Sequence, residues 1–364
     1  MTTIARVLKT LPTSLLSSRR SAGWIGVDIG TRTVKLAQVE RRGGGWRLSG
    51  LWTIEHASDL PLVRSALGEG ELSKHTQELR KIRRLFRGRS TAATLPTSHV
   101  DFRALDIPSG PWQETKAILD QELAADPPGE NGDYEFDAWQ ATSFGSTTKV
   151  LAVAAERCNT VRVASDLLSA GFECSVIDAV PCALARAVTL CDPAAQQETV
   201  AALDFGHSTA LLVVVHQGRP VFCRLLRGCG LQSLMQPLID KLGITDEECR
   251  HLLLRFGIPA ETAGSPAARS TYQVMSHGLN HLAEELRRTL SYASQQLRLR
   301  PNRIWMFGGG ATIRNSAEFV SQQTQIASLP WRLSKGDGPG NLTEPLFGAA
   351  AGLSLLAWED SKCM

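Results

Sequence analysis

The sequence has no long hydrophobic run and no apolar segment of the kind that directs export. None of its apolar stretches approaches the roughly 18 residues that a membrane-spanning helix needs. The first residues also lack the apolar core of a cleavable signal peptide. We therefore expect a chain that neither crosses a membrane nor is exported through a cleaved signal.

A strong excess of charge and closely spaced cysteines are also missing. The net charge is only +3, with 21% charged residues, so electrostatics gives no reason to expect a nucleic-acid partner. Eight cysteines are present, but none forms a Cys-x-x-Cys pair. Most lie among apolar neighbours, so we expect them to act as small core side chains in a reducing compartment.

Two segments combine basic residues with helically spaced apolar ones. In residues 1–21 this pattern is interrupted by Pro12, and both an amphipathic docking segment and a disordered tail remain open. From Ser73 to Gly88 the pattern predicts a basic amphipathic helix. We interpret its charged side as a solvated helix face, with contact to acidic lipid or a partner as the less favoured alternative.

An apolar strand that ends in Asp-x-Gly and is followed by hydroxyl residues occurs twice. The first copy is Asp28-Ile29-Gly30-Thr31, and 176 residues later comes the second, Asp204-Phe205-Gly206-His207-Ser208-Thr209. Such a turn can point backbone N–H groups and hydroxyls at an anion, although ordinary hairpins also use Asp and Gly. Because the pattern is repeated, we predict that the two turns clamp a polyphosphate and that Asp28 and Asp204 hold Mg²⁺.

A glycine-rich segment forms a third motif. The predicted strand Arg303–Phe307 opens into Gly308–Gly310, where the backbone can approach a ligand closely. The preceding helix, predicted over His281–Leu299, has an apolar stripe on one side. Its opposite side carries Glu284, Arg287 and Arg288. The sequence leaves open whether this polar side is solvated or is the wall of a ligand site.

Residues 96–178 have a different texture. The predicted order of strand, helix, strand, strand, helix and strand indicates a compact α+β module inserted into the first half of the chain. At its end Asp178 lies where a strand leads into a helix. Facing a ligand and capping the helix are both compatible with that position.

Taken in order, the three motifs resemble the actin-like ATPase superfamily. Within it the chain is similar to the PilM family of type IV pilus assembly proteins. This resemblance rests on Gly26-Val27-Asp28-Ile29-Gly30, on Ala202-Leu203-Asp204-Phe205-Gly206 leading to Arg227-Gly228-Cys229-Gly230, on Glu284-Glu285-Leu286-Arg287-Arg288 before the glycines, and on Pro345-Leu346-Phe347-Gly348-Ala349. His207 and Cys229 depart from the family pattern.

The resemblance implies an α/β fold: a duplicated actin-like, ribonuclease H-like body of two lobes with a small α+β insertion. We expect the first lobe over residues 22–95 and 179–199, the inserted module over 96–178, and the second lobe over 200–344. Residues 345–364 would form a closing helix that returns to the first lobe.

The resemblance also implies a site for ATP and Mg²⁺. The first turn would contribute Asp28, Gly30, Thr31, Thr33 and Lys35, the second Asp204, Gly206, Ser208 and Thr209, and the adenosine side Glu284, Arg287, Arg288, Gly308, Gly309, Gly310 and Ala311. Asp28 and Asp204 would be the metal-binding residues. No motif places a carboxylate as a base for water attack, so we expect at most a slow ATPase, in which ATP shifts a conformational equilibrium.

The implied function is that of a cytoplasmic scaffold at the cytoplasmic face of the inner membrane, in a type IV pilus or a related competence or secretion system. It would dock the N-terminal peptide of a PilN-like inner-membrane protein, with self-association left open and no nucleic-acid partner. One alternative is an FtsA-like cell-division filament protein, which usually ends in a basic amphipathic helix. A type II secretion component would continue into a transmembrane segment, and a sugar-kinase-like phosphotransferase would need a catalytic acid. We find no sign of any of the three, and therefore favour the pilus function.

Overall fold

The computed structural model describes residues 21–42, 45–55, 74–127, 132–144, 146–259, 265–333 and 343–359. Residues 1–20 of the predicted N-terminal segment, Ser73 of the predicted basic helix and residues 360–364 of the predicted closing segment lie outside these ranges. The chain divides into two compact units. Unit 1 comprises Met1–Leu190, Arg219–Phe222 and Ala349–Met364, and unit 2 comprises Cys191–Gly218 and Cys223–Gly348.

Unit 1 contains a five-stranded sheet. In spatial order its strands are β3 (Gly45–Glu55), β2 (Thr33–Arg42), β1 (Ile25–Ile29), β4 (Ser90–Thr94) and β8 (Glu173–Asp178). The central strand β1 is antiparallel to β2 and parallel to β4. All five residues of β1 are buried, as expected for a strand that is covered on both faces.

A second five-stranded sheet repeats this order. Its strands are β11 (Arg219–Arg227), β10 (Thr209–His216), β9 (Thr199–Phe205), β12 (Arg303–Phe307) and β13 (Ala327–Pro330). The central strand β9 is antiparallel to β10 and parallel to β12, as β1 is to β2 and β4. The repeat seen in the sequence is therefore a repeat of topology, with each Asp-x-Gly turn at the same end of the same hairpin.

A separate antiparallel sheet lies in the inserted segment, in the order β5 (Asp101–Pro108), β7 (Thr147–Glu156) and β6 (Tyr134–Phe144). Helix α2 (Trp112–Ala125) covers one face, where Leu119 packs with Ile107 and Val150. The other two elements of the predicted module 96–178 join the first sheet. Strand β8 pairs with β4, and helix α3 (Arg157–Ser169) buries Val163 and Leu167 in the core of that sheet.

The remaining helices cover the two five-stranded sheets. They are α1 (Lys74–Ile82), α4 (Val180–Cys191), α5 (Gln232–Leu242), α6 (Asp246–Phe256), α7 (Pro266–Leu297), α8 (Ser316–Thr324), α9 (Gly348–Ser354) and α10 (Leu356–Glu359). Helix α7 begins earlier than the predicted His281, because its buried stripe extends back to Met275 and Pro266 stands in its first turn. No helix among the described residues is long and apolar enough to span a bilayer.

Helix α9 packs so closely against β1 and α4 of unit 1 that their backbones are in contact. A Cβ atom on Gly26 in β1 would overlap the Ala350 carbonyl, and one on Gly352 would overlap the Ala183 carbonyl of α4. Glycine is needed at both positions because only a residue without a side chain permits such an approach. The last described helices are thereby fixed to the central strand.

Candidate functional site

The first Asp-x-Gly turn joins β1 to β2. The Gly30 N–H donates to the Thr33 carbonyl at 2.9 Å and closes the turn. A Cβ atom on Gly30 would lie 3.2 Å from that carbonyl and 3.4 Å from Lys35 Nζ, so glycine lets the backbone run beside the ammonium group. Thr31 and Thr33 are half-buried on the same turn. The turn thus brings together a lysine ammonium group, a stretch of backbone that passes close to it, and two hydroxyl side chains.

Both oxygens of the Asp28 carboxylate have partners within unit 1. Lys35 Nζ lies 2.9 Å from Oδ2, and Thr94 Oγ1 donates to Oδ1 at 3.2 Å. Lys35 is the residue opposite Asp28 in the hairpin, and Thr94 is its partner on the parallel strand. The two ion-paired side chains are only 9% (Asp28) and 12% (Lys35) exposed, so water screens them weakly. An ammonium group has three donors, so an anion at this turn can share Lys35 with Asp28.

Thr94 is a site residue that the motif search missed. Asp28, Thr94 and Asp178 lie in register at the ends of three adjacent strands. The available signal was a hydroxyl residue at the end of an apolar strand, next to the strand that carries the motif. Asp178 has structural partners: Oδ1 accepts from the Ala179 N–H at 2.8 Å, and Oδ2 pairs with the buried Arg186. Its carboxylate is therefore satisfied within the protein.

The second Asp-x-Gly turn has the same backbone arrangement but a different side chain across the hairpin. A Cβ atom on Gly206 would lie 2.9 Å from the Thr209 carbonyl, which repeats the tight turn of unit 1. Asp204 is half-buried and lies opposite Leu211, the position that Lys35 has in the first hairpin. An apolar side chain thus replaces the cation, and the two predicted metal-binding carboxylates are not equivalent.

The loop between β11 and α5 packs onto this second turn. The Leu231 N–H donates to the Gly206 carbonyl at 3.0 Å, and a Cβ atom on Gly230 would overlap the backbone next to His207. The neighbouring Cys229 is part of the unit 2 core. Burial raises the pKa of its thiol to about 11, so Cys229 stays protonated at neutral pH and is a core side chain.

The glycine-rich segment follows β12, which lies beside β9, and so begins next to the second turn. Gly308 has a φ of +78°, and a Cβ atom there would lie 2.8 Å from the Phe205 carbonyl. A Cβ atom on Gly310 would overlap the Phe205 ring. Packing within unit 2 therefore requires both glycines. Gly309 is only half-buried, whereas Ala311 beyond it is buried, so Gly309 is the accessible part of the segment.

The predicted polar wall of α7 is exposed at Glu284, Arg287 and Arg288. Arg287 Nη1 donates to Gln323 Oε1 of α8 at 2.8 Å. Arg288 Nη1 lies 3.2 Å from Oε1 of Glu285, a more buried acid that the motif search passed over. Helix α8 packs against both α7 and the turn Gly309–Thr312. This helix therefore links the predicted wall to the glycine-rich segment.

Metal binding by protein groups alone is not supported. Within the part of the chain that the structure describes, no three His, Cys, Asp or Glu side chains come together as a metal site. Asp28 belongs to unit 1 and Asp204 to unit 2. Mg²⁺ typically takes one or two carboxylates together with phosphate oxygens and water. Aspartate carboxylates of this kind therefore fit a Mg²⁺ ion that is bound together with a nucleotide, whose phosphate groups supply further oxygen ligands.

Two solved structures share the fold over nearly the whole chain. A chain of the PilM–PilN type IV pilus biogenesis complex has a TM-score of 0.71 at 20% identity, over 93% of this chain and 99% of that one. The ethanolamine utilization protein EutJ of Carboxydothermus hydrogenoformans has a TM-score of 0.54 at 15% identity, over 97% of this chain and 92% of its own. The actin-like α/β fold predicted from the sequence is confirmed.

No curated protein matches the chain significantly in sequence. A family model does match, that of the type IV pilus assembly protein PilM, over residues 26–333. This range contains both Asp-x-Gly turns and the glycine-rich segment. The chain therefore belongs to the PilM family of type IV pilus assembly proteins.

Proposed function

We propose that the protein is a cytoplasmic component of type IV pilus assembly that binds ATP with Mg²⁺ and docks the N-terminal peptide of a PilN-like inner-membrane protein. The observation that carries the ATP site is the repeated turn: the same tight Asp-x-Gly backbone ends the same hairpin in two sheets of identical strand order. Such turns present N–H groups to phosphate oxygens.

The side chains around the turns have distinct roles in this proposal. Lys35 counters phosphate charge while it remains paired with Asp28, and Asp28 and Asp204 bind Mg²⁺ directly or through water. Hydroxyl and backbone donors come from Thr31, Thr33, Ser208 and Thr209, and Gly30 and Gly206 let the backbone of each turn approach the phosphates. Bound ATP supplies the polyphosphate anion and most of the metal's oxygen ligands. The adenosine side is formed by Gly308–Ala311 together with Glu284, Arg287 and Arg288 of α7.

A lysine with the same burial offers a matched control for the ATP site. Lys149 Nζ lies 2.7 Å from Asp106 in the inserted sheet, and its side chain is 12% exposed, as for Lys35. Titration with a fluorescent ATP analogue and Mg²⁺ should show loss of binding in Lys35→Leu and unchanged binding in Lys149→Leu. Equal affinities of these two variants would contradict the assignment of the first turn.

The surface that supports peptide docking lies within unit 1, on the side of the inserted sheet that α2 leaves uncovered. Partly buried apolar residues there pack with the start of α4. We call this cluster the seam; Val100, Phe102, Trp139 and Cys182 are its partly exposed members, and Val153 and Ala179 are its buried members. The PilM-like chain of similar fold was solved in a complex with PilN, which supports a PilN-like peptide as the occupant.

Strand β5 supplies the control for this docking surface. Phe102 and Leu105 are both half-buried but lie three residues apart, and therefore on opposite faces of the sheet. Phe102→Ala should weaken binding of a labelled PilN-like peptide at least tenfold, and Leu105→Ala should leave it within a factor of two. The reverse result would place the peptide on the α2 face instead.

ATP acts in this proposal as a conformational ligand with slow or no hydrolysis. A ligand can shift a conformational equilibrium only through its differential affinity for the two states. Peptide affinity is therefore expected to differ with and without Mg-ATP, while phosphate release stays slow. Identical peptide affinity in both conditions would contradict the switch. Rapid phosphate release would contradict the proposal that ATP acts as a conformational ligand and is hydrolysed slowly or not at all.

A further inference from the structure

Positive charge is concentrated on α1 and the turns that follow it. Between Lys74 and Arg89 there are seven basic residues and one acidic residue, a net charge of +6 in a chain whose total is +3. The rest of the protein therefore carries a small net negative charge. A surface field of one sign attracts ligands of the opposite sign, so this segment is a candidate site for an anionic partner.

Three of these cations have no hydrogen-bond or ion-pair partner among the residues that the structure describes. Arg80, Lys81 and Arg84 are exposed and make no hydrogen bond or ion pair with any residue that the structure describes. Their neighbour Arg87 differs, because its Nε lies 3.4 Å from Glu40 Oε1. Three adjacent charges are thus directed at solvent.

The same three cations line two hollows that share Lys81 and Arg84. The first has a volume of about 490 Å³, and the described residues that line it are all basic. The second, of about 570 Å³, also contains Trp52 and Leu85, which are 39% and 50% exposed. We call the five residues Trp52, Arg80, Lys81, Arg84 and Leu85 the basic face. It places an indole and an aliphatic side chain directly beside positive charge.

Positive charge beside exposed apolar side chains fits an anionic lipid surface better than it fits an acidic peptide or a nucleic acid. Lysine and arginine near a membrane attract anionic headgroups, and tryptophan and leucine insert at the level between headgroups and acyl chains. An acidic peptide would compensate the charge but would leave the apolar side chains without a partner. A single-stranded nucleic acid would need a series of aromatic stacking platforms, whereas Trp52 is the one aromatic side chain among the described residues that line these hollows.

We propose that the basic face binds the headgroup region of anionic phospholipid bilayers directly. The contact requires neither ATP nor a PilN-like peptide and so goes beyond the function proposed above. Its test can fail while that function stands. It would give the protein a second attachment to the membrane, with α1 lying along the bilayer surface.

The test is co-sedimentation of the full chain with vesicles of phosphatidylcholine alone or with 30% phosphatidylglycerol, a composition chosen for the assay. Binding is expected with the anionic vesicles and should fall with salt. Each cation near the surface contributes about fivefold in affinity. The variant R80Q/K81Q/R84Q should therefore bind about 100-fold more weakly, while K241Q/R219Q/R300Q, three exposed cations elsewhere, should lose less than fivefold.

Further variants probe the acid and the indole that lie beside the three cations. Glu78 lines the second hollow and repels phosphate, so Glu78→Gln should strengthen binding, a gain that misfolding cannot produce. Trp52→Ala should weaken binding at least fivefold, and Trp112→Ala, of a tryptophan 37% exposed on α2, should not. Neutralising Arg6, Lys9, Arg19 and Arg20 in the full chain controls for the basic N-terminal residues and should leave most of the binding.

Several results would overturn the proposal. These are equal binding to neutral and anionic vesicles, loss of binding only in the N-terminal variant, and an unchanged affinity of R80Q/K81Q/R84Q. Retention of polyglutamate or of an oligonucleotide by the basic face, without retention of anionic vesicles at the same ionic strength, would assign it to a soluble polyanion and overturn it as well.

Discussion

Lys35 lies opposite Asp28 across the first hairpin and forms an ion pair of 2.9 Å with it. The corresponding residue in the second hairpin is Leu211, opposite Asp204. The repeated fold has therefore diverged at one chemically decisive position. Of the two hairpins, only that of unit 1 places a lysine opposite its aspartate, and this difference makes Lys35 the first residue to test.

Replacement of Lys35 by leucine should destabilise the protein as well as remove ATP binding. It would leave the Asp28 carboxylate, whose side chain is 9% exposed, with Thr94 as its remaining described side-chain partner. Loss of one member of a buried pair costs about 3 kcal/mol in the free energy of unfolding. Urea unfolding of K35L should show this loss, and D28N/K35L should recover much of it. Equal stability of the single and double variants would contradict a coupled pair.

Alanine substitutions at Gly310 and Gly309 should distinguish the packing role of the glycine-rich segment from its contact with the ligand. Gly310→Ala would push a methyl group into the Phe205 ring and should lower the free energy of unfolding by about 2 kcal/mol, the usual cost of overpacking. Gly309→Ala would place its methyl 3.2 Å from the flexible end of Leu231 and should cost less than about 1 kcal/mol. Thermal melts give these values. Affinity for the fluorescent ATP analogue should fall in G309A, and an unchanged affinity would remove Gly309 from the proposed site.

Asp137 should make the stability of the protein depend on pH. Burial raises its pKa from 3.8 to about 6, so the folded state binds the proton more tightly than the unfolded state. Burial of this carboxyl group therefore lowers the free energy of unfolding least below about pH 4. The loss is greatest above about pH 6, where it reaches about 3 kcal/mol. Asp137→Asn should therefore raise stability at pH 8 and change it little at pH 4.

An exposed aspartate provides the control for this pH effect. Asp120 on α2 is exposed, so Asp120→Asn controls for the loss of one negative charge from the protein surface. A larger gain for Asp137→Asn at pH 4 than at pH 8 would show that the carboxyl is stabilised in its charged form, contrary to expectation.

Thiol labelling should detect one reactive cysteine among those described. Cys158 is exposed, whereas Cys191, Cys229 and Cys249 are buried. In a C363S background a maleimide should modify Cys158 first, and C158S/C363S should react more slowly, through the half-buried Cys174, Cys182 and Cys223. Partial burial and the Glu156 carboxylate, 3.4 Å from the sulfur, raise the pKa of Cys158. Glu156→Gln should therefore speed alkylation at pH 7, and a slower rate would contradict this.

Local patterns in the sequence were sufficient to predict the class of fold and most elements. The order of strand, helix, strand, strand, helix and strand predicted for residues 96–178 occurs as β5, α2, β6, β7, α3 and β8. The duplicated Asp-x-Gly turns predicted the duplicated topology. These features are encoded within short segments, where periodicity and turn chemistry act directly.

Long-range pairing could not be predicted in the same way. The partner of β4 is β8, about 80 residues further on, and no local signal distinguishes this sheet from the neighbouring inserted one. The contact of Thr94 with Asp28 likewise depends on the parallel pairing of β1 with β4, whose partners lie 66 residues apart in the chain. For the same reason, the sequence did not show that Gly308 and Gly310 are needed to accommodate Phe205.

The backbone contact of α9 with β1 has a consequence for synthesis of the chain on the ribosome. The central strand of unit 1 acquires its neighbour at Ala350 only after unit 2 has been synthesised, since every residue of unit 2 except the first helical position Gly348 precedes α9. Domains generally fold as units during translation. Unit 2 can therefore complete its core before the core of unit 1 is closed by α9.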